Sequence, residues 1–244
     1  MSDVVQVAPP TRIPVRATDS TTFPVRRVYC VGRNFADHAR EMGATAPSSR
    51  ADRGTPVFFC KPADAIVPGG VVPYPPGTSE LHHEVELVVA LGADAPPGEL
   101  DRLRAEALVF GYGIGLDLTR RDLQAAAKAK GLPWDVAKAF DRSAPVSELV
   151  VAADVPKLDG LGLELRVNGE VRQQGRFTDL IWDVPDILIE LSRLFELRAG
   201  DVVFMGTPAG VGPLQPGDEY LARLGDVVEL QGRIELPATT GGTP

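Results

Sequence analysis

The chain has little cysteine, little histidine and no surplus of positive charge, and each shortage excludes something. Two cysteines, Cys30 and Cys60, in 244 residues cannot build a disulfide framework or a thiolate zinc centre, and they suit a reducing compartment. Aromatic side chains make up 6% and the net charge is −8. Without a basic excess or aromatic–basic interleaving, nucleic acid is not an expected partner. No apolar run approaches the roughly 20 residues of a membrane span. The first ten residues lack a basic stretch followed by an apolar one. The expectation is a cytoplasmic protein without a membrane partner. Catalytic signatures are also missing: there is no GxSxG, no GxxxxGK[ST] and no HExxH. Gly111, Gly113 and Gly115 lack the third glycine of a dinucleotide loop and read better as a closely packed strand.

What the chain has in quantity is glycine and proline, 25 and 22 residues, which predicts short strands and many turns rather than long helices. Residues 1–23 read as an extended arm, 24–236 as a single domain and 237–244 as a flexible tail. Arg27–Val31 is a strand. Asn34–Met42 is a short helix with Asn34 as its cap. Residues 44–54 are small and polar and read as a mobile loop or lid. Strands follow over PVFFCKP, DAIVPGG and HHEVELVVALG, and over Leu108–Asp117. Helices are expected at Glu99–Ala107, at Thr119–Lys130 and, with Asp183 as N-cap, at Pro185–Leu197. Asn168-Gly169 is the strongest hairpin turn.

Glu84 and Glu86 sit two apart in an apolar strand and so share a face. Two such carboxylates repel unless a cation lies between them, and oxygen ligands select a hard ion. A solvated edge strand is the other reading. Asp117 ends an apolar run, as a third ligand or as a helix cap. His38 and Glu41 are i, i+3 on a short helix, where a carboxylate can orient an imidazole as a base; an ordinary surface pair is the alternative. Lys138 lies between alanines, and a buried lysine calls for an anion or a developing oxyanion. The loop Gly206–Gly212 either offers backbone N–H groups and the Thr207 hydroxyl to a carboxylate or is a tight turn.

Together the segments YCVGRNFADHAREM, FFCKPADAIV, HHEVELVVALG, GYGIGLDLTRRDLQ, KGLPWDVAKAFD, LRVNGEVRQQG and MGTPAGVGPLQPGD resemble the fumarylacetoacetate hydrolase family. They run in order over nearly the whole chain and look most like bacterial fumarylpyruvate and acylpyruvate hydrolases. The resemblance implies an α+β, β-rich fold of rolled mixed sheets with peripheral short helices, usually a homodimer. It implies a divalent cation, Mg²⁺ or Mn²⁺ with Ca²⁺ also accommodated, on Glu84, Glu86 and Asp117. It implies a water-activating pair, His38 and Glu41, whose loop orders over the substrate, and Lys138 near the reacting oxygens. Arg121, Gln124 and Thr207 fall on substrate-contacting or site-organising positions, and His82 and His83 lie around the site without being ligands. Arg33, Arg121 and Arg176 are candidates for a distal carboxylate. The implied reaction is hydrolysis of fumarylpyruvate to fumarate and pyruvate, in aromatic-acid breakdown through gentisate. Oxaloacetate decarboxylation, another acyl group, or dienedioate isomerisation and decarboxylation are the alternatives.

Overall fold

The computed structural model describes residues 4–16, 21–41 and 50–236. Two curled sheets enclose the main apolar core, and their strand order decides where the charged residues meet. The larger, ten-stranded and mixed, runs Thr22–Pro24, Arg12–Arg16, Leu149–Val151, Val109–Leu116, Val85–Leu91, Asp201–Phe204, Arg27–Gly32 and Val57–Lys61, with Ala144–Val146 and Ile66–Pro68 attached beside it. The smaller runs Glu170–Arg176, Gly162–Val167, Glu219–Leu224, Val228–Glu235 and Gly70–Pro73. A short third sheet pairs Leu81–His83 with Thr119–Arg120 and Gly212–Leu214.

The central strand Val85–Leu91 is buried along its whole length. Val85, Leu87, Val89 and Leu91 enter the core between the sheets, packed with Ile187, Leu188 and Leu191 of the helix Val184–Ser192. Each such side chain contributes about 1.5–3 kcal/mol on burial. Val88 and Ala90 point the other way, into a second cluster with Ile13, Phe23, Cys30 and Phe204. Apolar layers on both faces explain why the strand reads as a continuous apolar run, with Glu86 the exception. The glycines of the neighbouring strand are spacers: a Cβ on Gly115 would come within 3.0 Å of Phe204, Val88 and the Pro145 carbonyl.

Several expectations shift. Within the expected arm, Arg12–Arg16 and Thr22–Pro24 are strands of the main sheet, with Ile13 and Phe23 buried. Asn34 is no helix cap. The helix spans Ala36–Glu41, and Asn34 is buried, donating to the carbonyls of Trp182 (3.0 Å) and Met205 (2.8 Å) and accepting from Trp182 N–H (2.9 Å). Thr119 and Arg120 pair with His82 and Leu81, so the next helix begins at Arg121. Asp183 does cap its helix, accepting from Asp186 N–H at 3.0 Å, and that helix stops at Ser192. The Asn168-Gly169 turn forms as expected, both residues at positive φ. The expected lid falls partly on 42–49, and the expected tail on 237–244, outside the described residues.

Candidate active site

Strand register assembles the acidic centre. Val85 pairs with Leu116, and Asp117 N–H donates to the Glu84 carbonyl at 2.8 Å. Asp117 therefore lies directly opposite Glu84, and the two-residue period of the strand adds Glu86 on the same side. Carboxylate oxygens of Glu84, Glu86 and Asp117 lie within 4.8 Å of one another, all three residues buried. The solvated-edge reading of this pair is thereby excluded.

Charges around the triad are arranged unequally. Lys138, on the short helix Asp135–Lys138, donates to Glu84 (2.7 Å), Asp117 (2.5 Å) and the Thr119 hydroxyl (2.6 Å). Burial opposes its charge, but Asp117 and Glu84 outweigh burial and hold the ammonium above the ordinary lysine range. Glu84 also meets Arg121 at 2.5 Å. Burial alone would raise Glu84; Lys138 and Arg121 instead pull it well below the usual carboxylate range. Among the described residues no cationic side chain is bonded to Glu86, which accepts from Gly206 N–H at 2.6 Å. Burial, then the charges of Asp117 and Glu84, push its carboxyl well up.

A hard cation fits this donor set. All three donors are carboxylates, Glu86 is held partly against its own ionisation, and Asp117 Oδ1, ion-paired with Lys61 at 2.8 Å, receives no hydrogen bond among the described residues. Glu84, Glu86 and Asp117 would hold the ion.

His38 faces the same cavity, with Glu41 bonded to it from outside the lining. His38 is buried and lines it together with the triad, Lys138, Gln124 and Thr207. Its Nδ1 lies 3.1 Å from Glu41 Oε2, which makes Nδ1 the protonated nitrogen and leaves Nε2 free to accept a proton. Glu41 Oε1 accepts from Gly210 N–H at 3.2 Å, so the glycine loop is anchored to the dyad. Gln124 accepts from Arg121 at 2.5 Å. Arg33 lines the cavity and Arg176 does not; Arg176 belongs to a separate open groove with Asp159 and Asp179.

Three organising residues escaped the sequence reading. Lys61 has a fully buried side chain, 2.8 Å from Asp117 Oδ1, and its protons go to the Leu118 carbonyl (3.2 Å), the Ser143 hydroxyl (2.9 Å) and the Lys138 carbonyl. It is a fixed countercharge behind Asp117 and a clamp on the helix carrying Lys138. Gln173 accepts from His83 Nδ1 (2.8 Å) and Val85 N–H (3.1 Å) and donates to Thr207 Oγ1 (2.7 Å) and the Pro208 carbonyl (2.9 Å). The pattern makes His83 Nδ1 a donor, and burial lowers the His83 pKa. Burial and then Arg121 lower that of His82 to about 4. Both imidazoles are neutral at pH 7. Asn34 is the third, tying the turn before His38 to the loop start at Met205. A lone lysine before proline, and amides in polar runs, carry no sequence signal of such roles.

Lys61→Met leaves Asp117 short of a buried counterion. We expect a loss of about 3–5 kcal/mol of stability, read by urea unfolding, with part of it regained on adding Mg²⁺. An unchanged midpoint would remove the countercharge role.

Fold and site define the class: a β-rich α+β enzyme domain whose buried acidic centre can take a divalent cation beside a buried histidine. The chain belongs to the fumarylacetoacetate hydrolase family, as residues 27–240 match the family description "Fumarylacetoacetate (FAA) hydrolase C-terminal". It is 41% identical over 213 residues to the mitochondrial oxaloacetate tautomerase FAHD1 of Bos taurus, covering 87% of this chain and 93% of that protein. It is 43% identical over 199 residues to the oxaloacetate tautomerase YcgM of Escherichia coli, covering 81% and 87%. Among solved structures it resembles the fumarylpyruvate hydrolase of Pseudomonas aeruginosa in complex with Mn²⁺ and pyruvate, with TM-score 0.89 and 43% identity over 96% of this chain and 100% of that one. Among the described residues, no helix is long and apolar enough to cross a membrane.

Proposed function

We propose that the protein hydrolyses the C3–C4 bond of a 2,4-diketo acid, with fumarylpyruvate giving fumarate and pyruvate. The observation that carries this reading is His38, which lines the same cavity as the three carboxylates and is held by Glu41 at 3.1 Å. A base oriented by a carboxylate suits activation of water. The solved relative bound to Mn²⁺ and pyruvate adds support.

Glu84, Glu86 and Asp117 would hold a hard divalent cation, which would supply Lewis acidity for a 2-keto acid. His38, its Nδ1–H held by Glu41, accepts a proton from water at Nε2. The oxygen of that water bonds to C4 of the substrate. Lys138 stabilises the negative charge that develops on the C4 oxygen, and Gln124 and Thr207 orient the chain. The adduct collapses, the C3–C4 electron pair passes to C3, and the leaving group is the enolate of pyruvate. C3 takes a proton from His38, and the new carboxylic acid ionises. Arg121 acts mainly through Glu84 and Gln124. In this reading the enzyme works in the cytoplasm as a homodimer.

A second reading is keto–enol interconversion of oxaloacetate, favoured by the names of the curated relatives at 41% and 43% identity. It uses the same 2-keto acid head and one proton relay, and it breaks no C–C bond. Steady-state assays on fumarylpyruvate, acetylpyruvate and oxaloacetate separate the two. They are run with EDTA and then with Mg²⁺ or Mn²⁺ restored. Metal-dependent release of pyruvate from a diketo acid supports hydrolysis. Accelerated enol–keto exchange of oxaloacetate without diketo-acid cleavage supports the second.

A further inference from the structure

The cavity holds more positive charge than its own carboxylates use. Its cations are Arg33, Arg121, Lys128 and Lys138. Arg121 and Lys138 are taken up by Glu84 and Asp117. Arg33 and Lys128 make no ion pair or hydrogen bond among the described residues. The adjoining segment 42–49 contains no aspartate or glutamate that could supply one. With a divalent cation on the triad, the surplus grows beyond what a single ligand carboxylate cancels.

Lys128 is placed by its helix. Arg121, Gln124 and Lys128 are spaced i, i+3, i+7 on Arg121–Lys130 and share one face. Arg121 and Gln124 are already at the triad, and Lys128 stands about 10 Å from Arg121 and about 6 Å from Gln124 along the axis at 1.5 Å per residue. A seven-carbon diacid has six C–C bonds. On the scale of an extended backbone, where three bonds span about 3.3 Å, it reaches about 7 Å. The lysine stem covers the remainder. Phe59 and Trp134, tilted rings 6.1 Å apart, both line the cavity, Phe59 beside Lys138 and Trp134 beside Lys128. The Lys128 ammonium sits 5.0 Å from the Trp134 ring centre. Burial and the nearby Arg121 and Arg33 lower the Lys128 pKa, as expected for a cation surrounded by cations and short of an anion.

We propose that Lys128, together with Arg33, binds the far carboxylate of a substrate that carries one at each end, and that Lys128 makes the site prefer diacids over monoacids. The proposal deepens the hydrolase reading and borrows from it only the choice of test compounds. Fumarylpyruvate and acetylpyruvate share the diketo-acid head and differ in the far carboxylate. The ratio of their kcat/KM values is therefore the readout, measured with Mg²⁺ for wild type, Lys128→Met and Lys128→Arg. Methionine keeps the helix propensity and most of the stem. The methionine variant should lower the fumarylpyruvate-to-acetylpyruvate ratio about 10- to 100-fold, mainly through KM, and arginine should restore most of it. A ratio unchanged in Lys128→Met, whether both rates fall or neither does, overturns the proposal while leaving hydrolysis standing. If wild type cleaves neither acid, the hydrolase reading falls, and the uncleaved acids become stable ligands. Calorimetry then gives the same ratio from their Kd values: dependence on Lys128 upholds the diacid subsite, and independence overturns it.

Discussion

His38→Ala should lower kcat for fumarylpyruvate cleavage by about 10²- to 10⁴-fold, the usual contribution of a positioned general base, while Mg²⁺ affinity stays close to wild type. The two readouts separate because His38 lines the cavity without belonging to the acidic cluster. Glu41→Gln should give a loss of comparable size. Both partners of Glu41 donate to it, His38 from Nδ1–H and Gly210 from N–H; the amide has one acceptor oxygen, so it loses one of these bonds or turns the imidazole to the wrong tautomer. Single-turnover kinetics with calorimetry of Mg²⁺ binding checks both. Wild-type rates in His38→Ala would assign water activation elsewhere and favour chemistry that needs no attacking water.

Glu86→Gln should abolish the stabilisation that Mg²⁺ gives the wild type, and should make the cation-free protein at least as stable as the wild type near pH 7. Both effects follow from one arrangement. Glu86 is buried beside Asp117 and Glu84, and the charge of Lys138 and the Gly206 N–H offset its charge only in part. A carboxyl whose folded-state pKa is raised stabilises the fold while protonated. That contribution is complete below the ordinary glutamate value of 4.5 and is lost as pH rises through the elevated value. Glu84, pulled down by Lys138 and Arg121, works in the opposite sense. Its contribution is present above the same ordinary value and is lost only on further acidification. Burial holds His82 and His83 neutral in the fold, which raises stability as pH climbs toward the ordinary imidazole value and opposes the Glu86 effect. The readout is therefore the difference between wild type and Glu86→Gln: in EDTA the wild-type Tm should fall relative to the variant as pH rises above 4.5, saturating Mg²⁺ should remove that relative fall, and the variant should be indifferent to Mg²⁺. A wild-type Tm in EDTA that rises relative to Glu86→Gln between pH 5 and 8 would contradict the electrostatic account of the triad.

Much of the site is legible along the chain because its parts are local. Glu84 and Glu86 are joined by strand period, and His38 and Glu41 by helix period, so each pair is set by backbone geometry alone. Lys138 stands out because a charge between alanines in an apolar segment has to be compensated. The supporting residues are illegible for the opposite reason. Lys61 meets its partners at Leu118, Lys138 and Ser143; Gln173 bridges His83 and Thr207; Asn34 reaches Trp182 and Met205. Nothing in the flanking residues of these three marks a partner so remote. Asn34 was misread for a related reason, since asparagine before a short helix is the ordinary cap and only distant carbonyls bid its amide away.

Period, composition and motif order act over a few residues, and they suffice for the family, the β-rich class, the acidic pair and the histidine–glutamate pair. That Asp117 faces Glu84, that Lys61 stands behind Asp117, that Arg176 lies outside the cavity and that Lys128 lines it emerges from the folded chain alone. Those outcomes depend on strand register and on how the sheets curl over one another. Register is the sum of many apolar contacts between segments far apart in the chain, and no local stretch of residues encodes it.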